Sequence, residues 1–321
     1  MRTVLLGAAG TGTAFAIASR LKAIWGNGIR LIASDVNSAS MVSTSLLADA
    51  YHQVPYANSP LFEGCIVDLL RDESVNHYIP ILNEEIVLAG ELADNNVYSH
   101  IDFWSSMHYA KCVDKKYASQ WLNSIGISTP KDVRIADIEC EERRVFVKPR
   151  DGFGSRKAQV MTLGQVKALP FEEQEALVIQ ELCDGPEVTV DSFWDAQKGR
   201  GYIYCRERLE VKAGVCTKAR LFYCGELAKV AERIATEMSQ HGTICFQVMK
   251  FSGAWVVTDL NLRPGAGTAM TCAAGFDVLA AAFACRTGGD YSRYVKPLVE
   301  GEEYIITRQY VEFVTRHSVI I

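Results

Sequence analysis

A glycine-rich turn near the amino end constrains the fold more than any other feature of the chain. The short apolar run Thr3 to Leu6 leads straight into Gly7-Ala8-Ala9-Gly10-Thr11-Gly12, and a helical pattern from Thr13 to Lys22 follows. A second apolar run, Ile29 to Ser34, ends at Asp35. Strand, turn, helix and strand in this order form a βαβ unit, which requires a parallel sheet. The glycines sit where backbone must pass close to something.

The same rhythm continues. Phe62, Cys65, Ile66, Leu69 and Leu70 recur at helical spacing behind Pro60, and His77 to Leu82 reads as a strand. Asn83 is placed to cap a helix beginning at Glu84-Glu85. A further helix, Asp114 to Ile125, is capped by Asp114 and stopped by Gly126. From about residue 130 strand-like runs take over: 145–148, 158–161, 178–182, 188–194, 201–205, 244–249 and 254–260. One amphipathic helix interrupts them, with Leu227, Val230, Ala231, Ile234 and Met238 on one face.

Composition narrows the function classes. At 321 residues and nearly half apolar, the chain can bury two or three cores. A net charge of −5 argues against coating nucleic acid. Ten cysteines show no CxxC pair, which points to buried thiols in a reducing compartment rather than disulfides or zinc. No run is apolar and long enough for a bilayer-spanning helix. Met1 to Ser19 superficially resembles a signal peptide, but its glycines fall at loop spacing, so the expected compartment is the cytoplasm. The six histidines show no HxH or HxxxH spacing, and no Gly-x-Ser-x-Gly elbow occurs. The Gly7/Gly10/Gly12 spacing is GxxGxG rather than GxGxxG, so this loop is expected to shape a wall of a substrate pocket instead of binding NAD.

Three constellations carry chemistry. In the first, the strand Val145-Phe146-Val147-Lys148 runs into Pro149-Arg150-Asp151-Gly152-Phe153-Gly154-Ser155-Arg156-Lys157. Backbone N–H groups of such a loop can surround phosphate oxygens while Lys148 adds a fixed charge; a solvated basic hairpin is the plain alternative. In the second, Val178-Ile179-Gln180-Glu181-Leu182-Cys183 precedes Asp184-Gly185-Pro186-Glu187. It reads either as an ordinary hairpin with a Gly-Pro turn, or as a hinge whose backbone holds adenine with Glu187 near the ribose. In the third, Val256-Val257-Thr258-Asp259-Leu260-Asn261-Leu262-Arg263 follows Phe246-Gln247-Val248-Met249. Asp259 and Asn261, two apart on a strand, share a face and offer hard oxygen ligands to Mg²⁺. Arg263 continues that face if the strand persists, ready to neutralise a phosphoryl group.

In this order the three segments resemble the ATP-grasp superfamily, especially the synthetase units of the carbamoyl-phosphate synthase large chain and the pyrrolysine-biosynthesis ligase. Cys112-Val113-Asp114-Lys115 through Gly126-Ile127-Ser128-Thr129-Pro130-Lys131 adds the look of that family's entry into its nucleotide-binding fold. The resemblance implies an α/β chain with a Rossmann-like pre-ATP-grasp domain over 1–105. A two-lobed α+β grasp follows, with a small lobe over 106–182 and a large lobe over 183–321. It also implies ATP and Mg²⁺ as cofactors. Lys115 and Lys148 would contact phosphates under a loop containing Gly152, Gly154 and Ser155. Glu181, Leu182 and Cys183 would face adenine, Glu187 the ribose, and Gln247, Asp259 and Asn261 the metal, with Arg263 on phosphate. Two departures stand out: Asp259 where glutamate is usual, and Leu262 where many relatives have proline.

Arg206, Arg208 and Lys212 are candidates to hold a substrate carboxylate or the γ-phosphate. Gly265-Ala266-Gly267-Thr268, at the start of an Ala-rich helical stretch, is an expected oxyanion site. The activity implied is a ligase that activates a small carboxylate as an acyl phosphate and passes it to an amine. Alternatives are carbamoyl-phosphate-synthase-like activation of bicarbonate or a non-catalytic nucleotide-binding regulator. A homodimer is the expected assembly.

Overall fold

The computed structural model describes residues 1–135, 140–152, 158–212, 214–239 and 241–315. Gly154 and Ser155 therefore lie outside the described residues.

The amino-terminal unit contains β1 (Arg2–Leu6), α1 (Gly12–Trp25), β2 (Ile29–Asp35), β3 (Ala50–Gln53), α2 (Phe62–Asp72), β4 (His77–Ile79), α3 (Asn83–Ala93) and β5 (Asp102–Phe103). Its strands form one parallel sheet in the order β3-β2-β1-β4-β5. Strand order reverses beside β1, so a crevice opens beyond the carboxyl ends of β1 and β4, the usual ligand position in open α/β sheets.

Asn83 does not cap α3: it is the first helical residue, and Leu82 takes the cap position. The capping work falls to Glu85, whose Oε2 accepts from the N–H groups of Ile81 and Leu82 at 2.8 and 2.9 Å. Its Oε1 accepts from Ala8 N at 3.0 Å, so one buried carboxylate ties the glycine loop to the β4–α3 turn.

After α4 (Met107–Cys112) and α5 (Lys115–Ser124) comes a small antiparallel sheet, β7-β6-β8, made of β6 (Arg144–Pro149), β7 (Gln159–Thr162) and β8 (Leu177–Gln180), with the short helices α6 (Leu163–Lys167) and α7 (Phe171–Glu175). Its own core is Val133, Val145, Val147, Leu163, Val166 and Ile179.

The rest of the chain builds a six-stranded antiparallel sheet. Its elements are β9 (Asp184–Asp195), β10 (Arg200–Lys212), β11 (Val215–Phe222), α8 (Gly225–Glu237), β12 (His241–Phe251), β13 (Ala254–Asn261), α9 (Thr268–Ala273), α10 (Val278–Arg286) and β14 (Glu303–Thr307). The strand order is β13-β12-β9-β10-β11-β14. The predicted amphipathic helix is α8, which buries Leu227, Ala231 and Ile234. A single apolar cluster joins Val4, Ile17 and Leu21 to Phe193, Tyr204 and Phe283, so the parallel sheet and the large sheet share one core through α1 and α10.

The 178–187 segment is not a hairpin. β8 and β9 belong to different sheets, and Gly185-Pro186 lies inside the start of β9. Glu181-Leu182-Cys183 is instead the bridge between the two sheets.

Candidate active site

Between the small and the large sheet lies a cavity of about 410 Å³. Lys148, at the end of β6, is buried and reaches across it to donate from Nζ to the Thr258 carbonyl of β13 at 2.5 Å. Burial lowers the pKa of this ammonium, and nearby Asp259 pulls it back up. Lys115, the first residue of α5, donates from Nζ to the Gly152 carbonyl at 2.7 Å, so both predicted phosphate-contacting lysines face the same cavity. Gly152 has a φ of 120°, a value that L side chains rarely adopt.

Glu181, Leu182, Cys183 and Glu187 line the opposite wall. The Glu181 N–H is taken by the Lys131 carbonyl at 2.9 Å. That leaves its C=O, rather than its N–H, to serve a base edge. One carboxylate oxygen of Glu181 accepts from Arg143 at 3.0 Å. The other is buried and without a hydrogen-bond partner among the described residues. Glu187 accepts from Arg208 Nη1 at 2.8 Å.

At the inner end stand Gln247, Asp259 and Asn261. Gln247 pairs directly with Asp259 across β12 and β13, beside a bulge. Asn261 Nδ2 donates to Asp259 Oδ2 at 2.8 Å, so the two side chains share a face as their spacing requires. All three offer oxygen, the donor type Mg²⁺ takes, and with a single carboxylate the set suits a cation that also carries phosphate oxygens. The Asn261 amide would have to turn its oxygen outward to ligate. β13 ends at Asn261, so Arg263 does not continue a strand face; it lies in the following turn and still borders the same region.

Gln247 and Asp259 also belong to a second cavity, of about 300 Å³. Its walls come from distant parts of the chain: Thr11 to Thr13 after β1, Ile81 and Leu82 after β4, Arg206 and Arg208 on β10, and Gly265 to Gly267 before α9. This is the crevice at the reversal of strand order in the parallel sheet, now roofed by the large sheet. Within the glycine loop, the N–H groups of Ala8, Ala9, Gly10 and Thr11 are bound to Glu85, Ser34, Asp35 and Ala8 oxygens. Those four donors are occupied, and Thr11, Gly12 and Thr13 stand in the wall of this cavity.

Arg206 is only 2 % exposed and pairs with fully buried Asp191 at 3.3 Å. Asp191 also accepts from Thr268 and Thr271 at 2.7 and 2.6 Å, which fixes the 265–268 turn beside the guanidinium. A Cβ at Gly267 would fall 2.3–2.4 Å from Arg206 atoms. Lys212 points elsewhere, exposed and paired with Glu210. The Gly265 N–H donates to Thr268 Oγ1 and the Thr268 N–H to the Gly265 carbonyl, so half of the expected oxyanion donors are already used. Sequence reasoning missed Arg308, just past β14, which also faces this cavity. No local signal marks it, since the apolar run Tyr304 to Ile306 before it reads only as a strand.

Residues 112–263 match the family model of the ATP-grasp domain. That segment is similar to the ATP-grasp domain and lies behind the parallel α/β unit, and similarity of the whole fold extends well beyond it. It superposes on Rhizobium etli pyruvate carboxylase, solved with the allosteric activator acetyl coenzyme A, with TM-score 0.72 and 14% identity, covering 95% of this chain but only 30% of that one. The biotin carboxylase domain of Hydrogenobacter thermophilus 2-oxoglutarate carboxylase, solved with MgADP, ADP and bicarbonate, gives 0.72 at 15% identity over 95% and 74% of the two chains. L-amino acid ligase from Bacillus licheniformis gives 0.65 at 12% over 88% and 73%. At these identities the likeness is one of fold. No match was found among curated proteins.

Proposed function

We propose that the chain is an ADP-forming ligase that activates a small carboxylate with ATP and hands the acyl group to an amine. The observation carrying this reading is the shared wall: Gln247 and Asp259 face both the 410 Å³ and the 300 Å³ cavity, so a nucleotide in one and an acid in the other would meet there. Mg²⁺ held by Asp259, Asn261 and Gln247 would draw charge from the phosphates.

In the first step a carboxylate oxygen attacks the γ-phosphorus, the bond from γ-phosphorus to the bridging oxygen breaks, and ADP leaves. Lys148 and Lys115 hold phosphate oxygens, and Arg263 offsets the charge at the transferred group. An amine nitrogen then attacks the acyl carbon, phosphate departs, and the amine gives up a proton. The unpartnered Glu181 oxygen and the free Glu181 carbonyl fit an adenine amino group. The proposed domain limits are 105/106 and 182/183, with the small lobe covering the nucleotide.

The test is ADP release from ATP and Mg²⁺ with panels of amino acids, simple carboxylates and bicarbonate, with hydroxylamine present to trap an acyl phosphate as hydroxamate. Hydroxamate formed one-for-one with ADP is the expected result. ADP release with no trapped acid, or none at all beside tight ATP binding, would favour a regulator instead.

A further inference from the structure

The charges around the 300 Å³ cavity do not balance: its lining carries four arginines, Arg206, Arg208, Arg263 and Arg308, against the one carboxylate of Asp259. Arg206 is offset by Asp191 and Arg208 by Glu187. Arg263 and Arg308 have no carboxylate partner among the described residues; their side chains donate only to the carbonyls of Pro264 and Ala266, at 3.2 and 2.8 Å. Arg263 lies in the turn after Asn261, and in the ligase reading the transferring group occupies it. Arg308 approaches from another element, its backbone pinned by its N–H to the Thr217 carbonyl at 2.8 Å.

No carboxylate among the described residues balances the charge on Arg308. It is half-buried, and burial first and neighbouring Arg206 second hold its pKa below the ordinary arginine value. A guanidinium kept charged, desolvated and beside a like charge is stabilised by an anion that spans into the cavity. Arg206 packs where a Gly267 side chain would stand, and Arg308 donates to the neighbouring Ala266 carbonyl, so both guanidiniums border the 265–267 turn. Arg308 lies outside the 112–263 segment that matches the ATP-grasp domain.

We propose that the acid bound in this cavity carries a second anionic group, and that Arg308 is the specificity-determining residue that holds it. The inference rests on the ligase reading for which carboxylate is activated, but the anion site stands or falls separately. The substrate class is a small dianionic acid: one carboxylate beside Arg263, and a second carboxylate or a phosphate at Arg308. The cavity admits a molecule of a few carbons between them.

The experiment measures binding of matched pairs to the full chain with Mg²⁺ and a non-hydrolysable ATP analogue: L-glutamate against L-glutamine, L-aspartate against L-asparagine, succinate against succinamate, and 3-phosphoglycerate against glycerate. At least one dianion should bind about tenfold or more tightly than its partner, the worth of a charge-assisted contact. That advantage should vanish in Arg308→Gln and return in part in Arg308→Lys, while nucleotide affinity shows that each variant is folded. A preference confined to the phosphate pair would identify the second group as a phosphoryl group. If no dianion outbinds its partner, or the advantage survives in Arg308→Gln, the proposal is overturned. Arg308-dependent binding of an acid that releases no ADP when ATP and amines replace the analogue would overturn the ligase reading and leave the anion site standing.

Discussion

The two cavities that meet at Asp259 are built in opposite ways. The proposed nucleotide cavity is made of contiguous segments, each a strand running into a loop: 146–152 with Lys115 nearby, 180–187, and the inner ends of β12 and β13. The proposed acid cavity gathers a loop from the parallel sheet, a strand face from the large sheet, a turn before α9 and a cation after β14. The difference teaches where chemistry can be read along a chain. A common ligand such as ATP is held by local backbone and a few charges, so its site is written in short runs. A particular substrate is held by side chains that only the tertiary fold brings together.

Substitutions that separate the cavities test this contrast. Asp259→Ala, on the shared wall, should have the largest effect, lowering the rate of ADP release roughly 100- to 1,000-fold with the melting temperature little changed. Retention of full turnover would remove Asp259 from the chemistry. Lys148→Ala should act on the nucleotide side, weakening ATP by roughly 10- to 100-fold in a titration. It also leaves the Thr258 carbonyl without the Nζ donor, which should cost about 1–3 kcal/mol of stability by denaturant unfolding. Gly267→Ala should act on the acid side alone. Arg206 is pinned to Asp191 and cannot easily swing away, so strain of about 1–3 kcal/mol is expected, read as a raised KM for the acid with ATP affinity kept. If that variant weakens ATP instead, the cavities are not separable as described.

The smallest effect concerns Glu85. Burial, its largest influence, raises this carboxyl from 4.5 to about 7, against the three backbone N–H groups that favour its charged form. The folded protein therefore binds the proton more tightly than the unfolded chain, and stability falls as pH rises from about 4.5 through about 7. The slope should be worth about 1–3 kcal/mol over that window and should flatten in Glu85→Gln, checked by urea unfolding at several pH values.

Much of the architecture was legible because it rests on local rules. The βαβ opening, the Asp114 cap, the amphipathic α8 and the paired Asp259 and Asn261 all follow from periodicity, capping or two-residue alternation. Asn83 misled because the helix begins one residue earlier than its spacing suggests, with Leu82 at the cap and Glu85 reaching back to the Ile81, Leu82 and Ala8 N–H groups. Gly185-Pro186 misled because a turn signal and a change of sheet look alike in sequence. Arg206 was legible as a charge on a strand, but not as a buried ion pair, since its partner Asp191 lies on the neighbouring strand β9. Arg308 had no local signal at all, because its position depends on β14 pairing with β11.

The most direct test of the account is the affinity of ADP by calorimetry with and without Mg²⁺, in the natural chain and in Asp259→Ala. Mg²⁺ should tighten ADP in the natural chain, and the gain should disappear in the variant. An equal gain in both, or none in either, would contradict the placement of the metal, and with it the meeting of the two cavities on which the proposed chemistry depends.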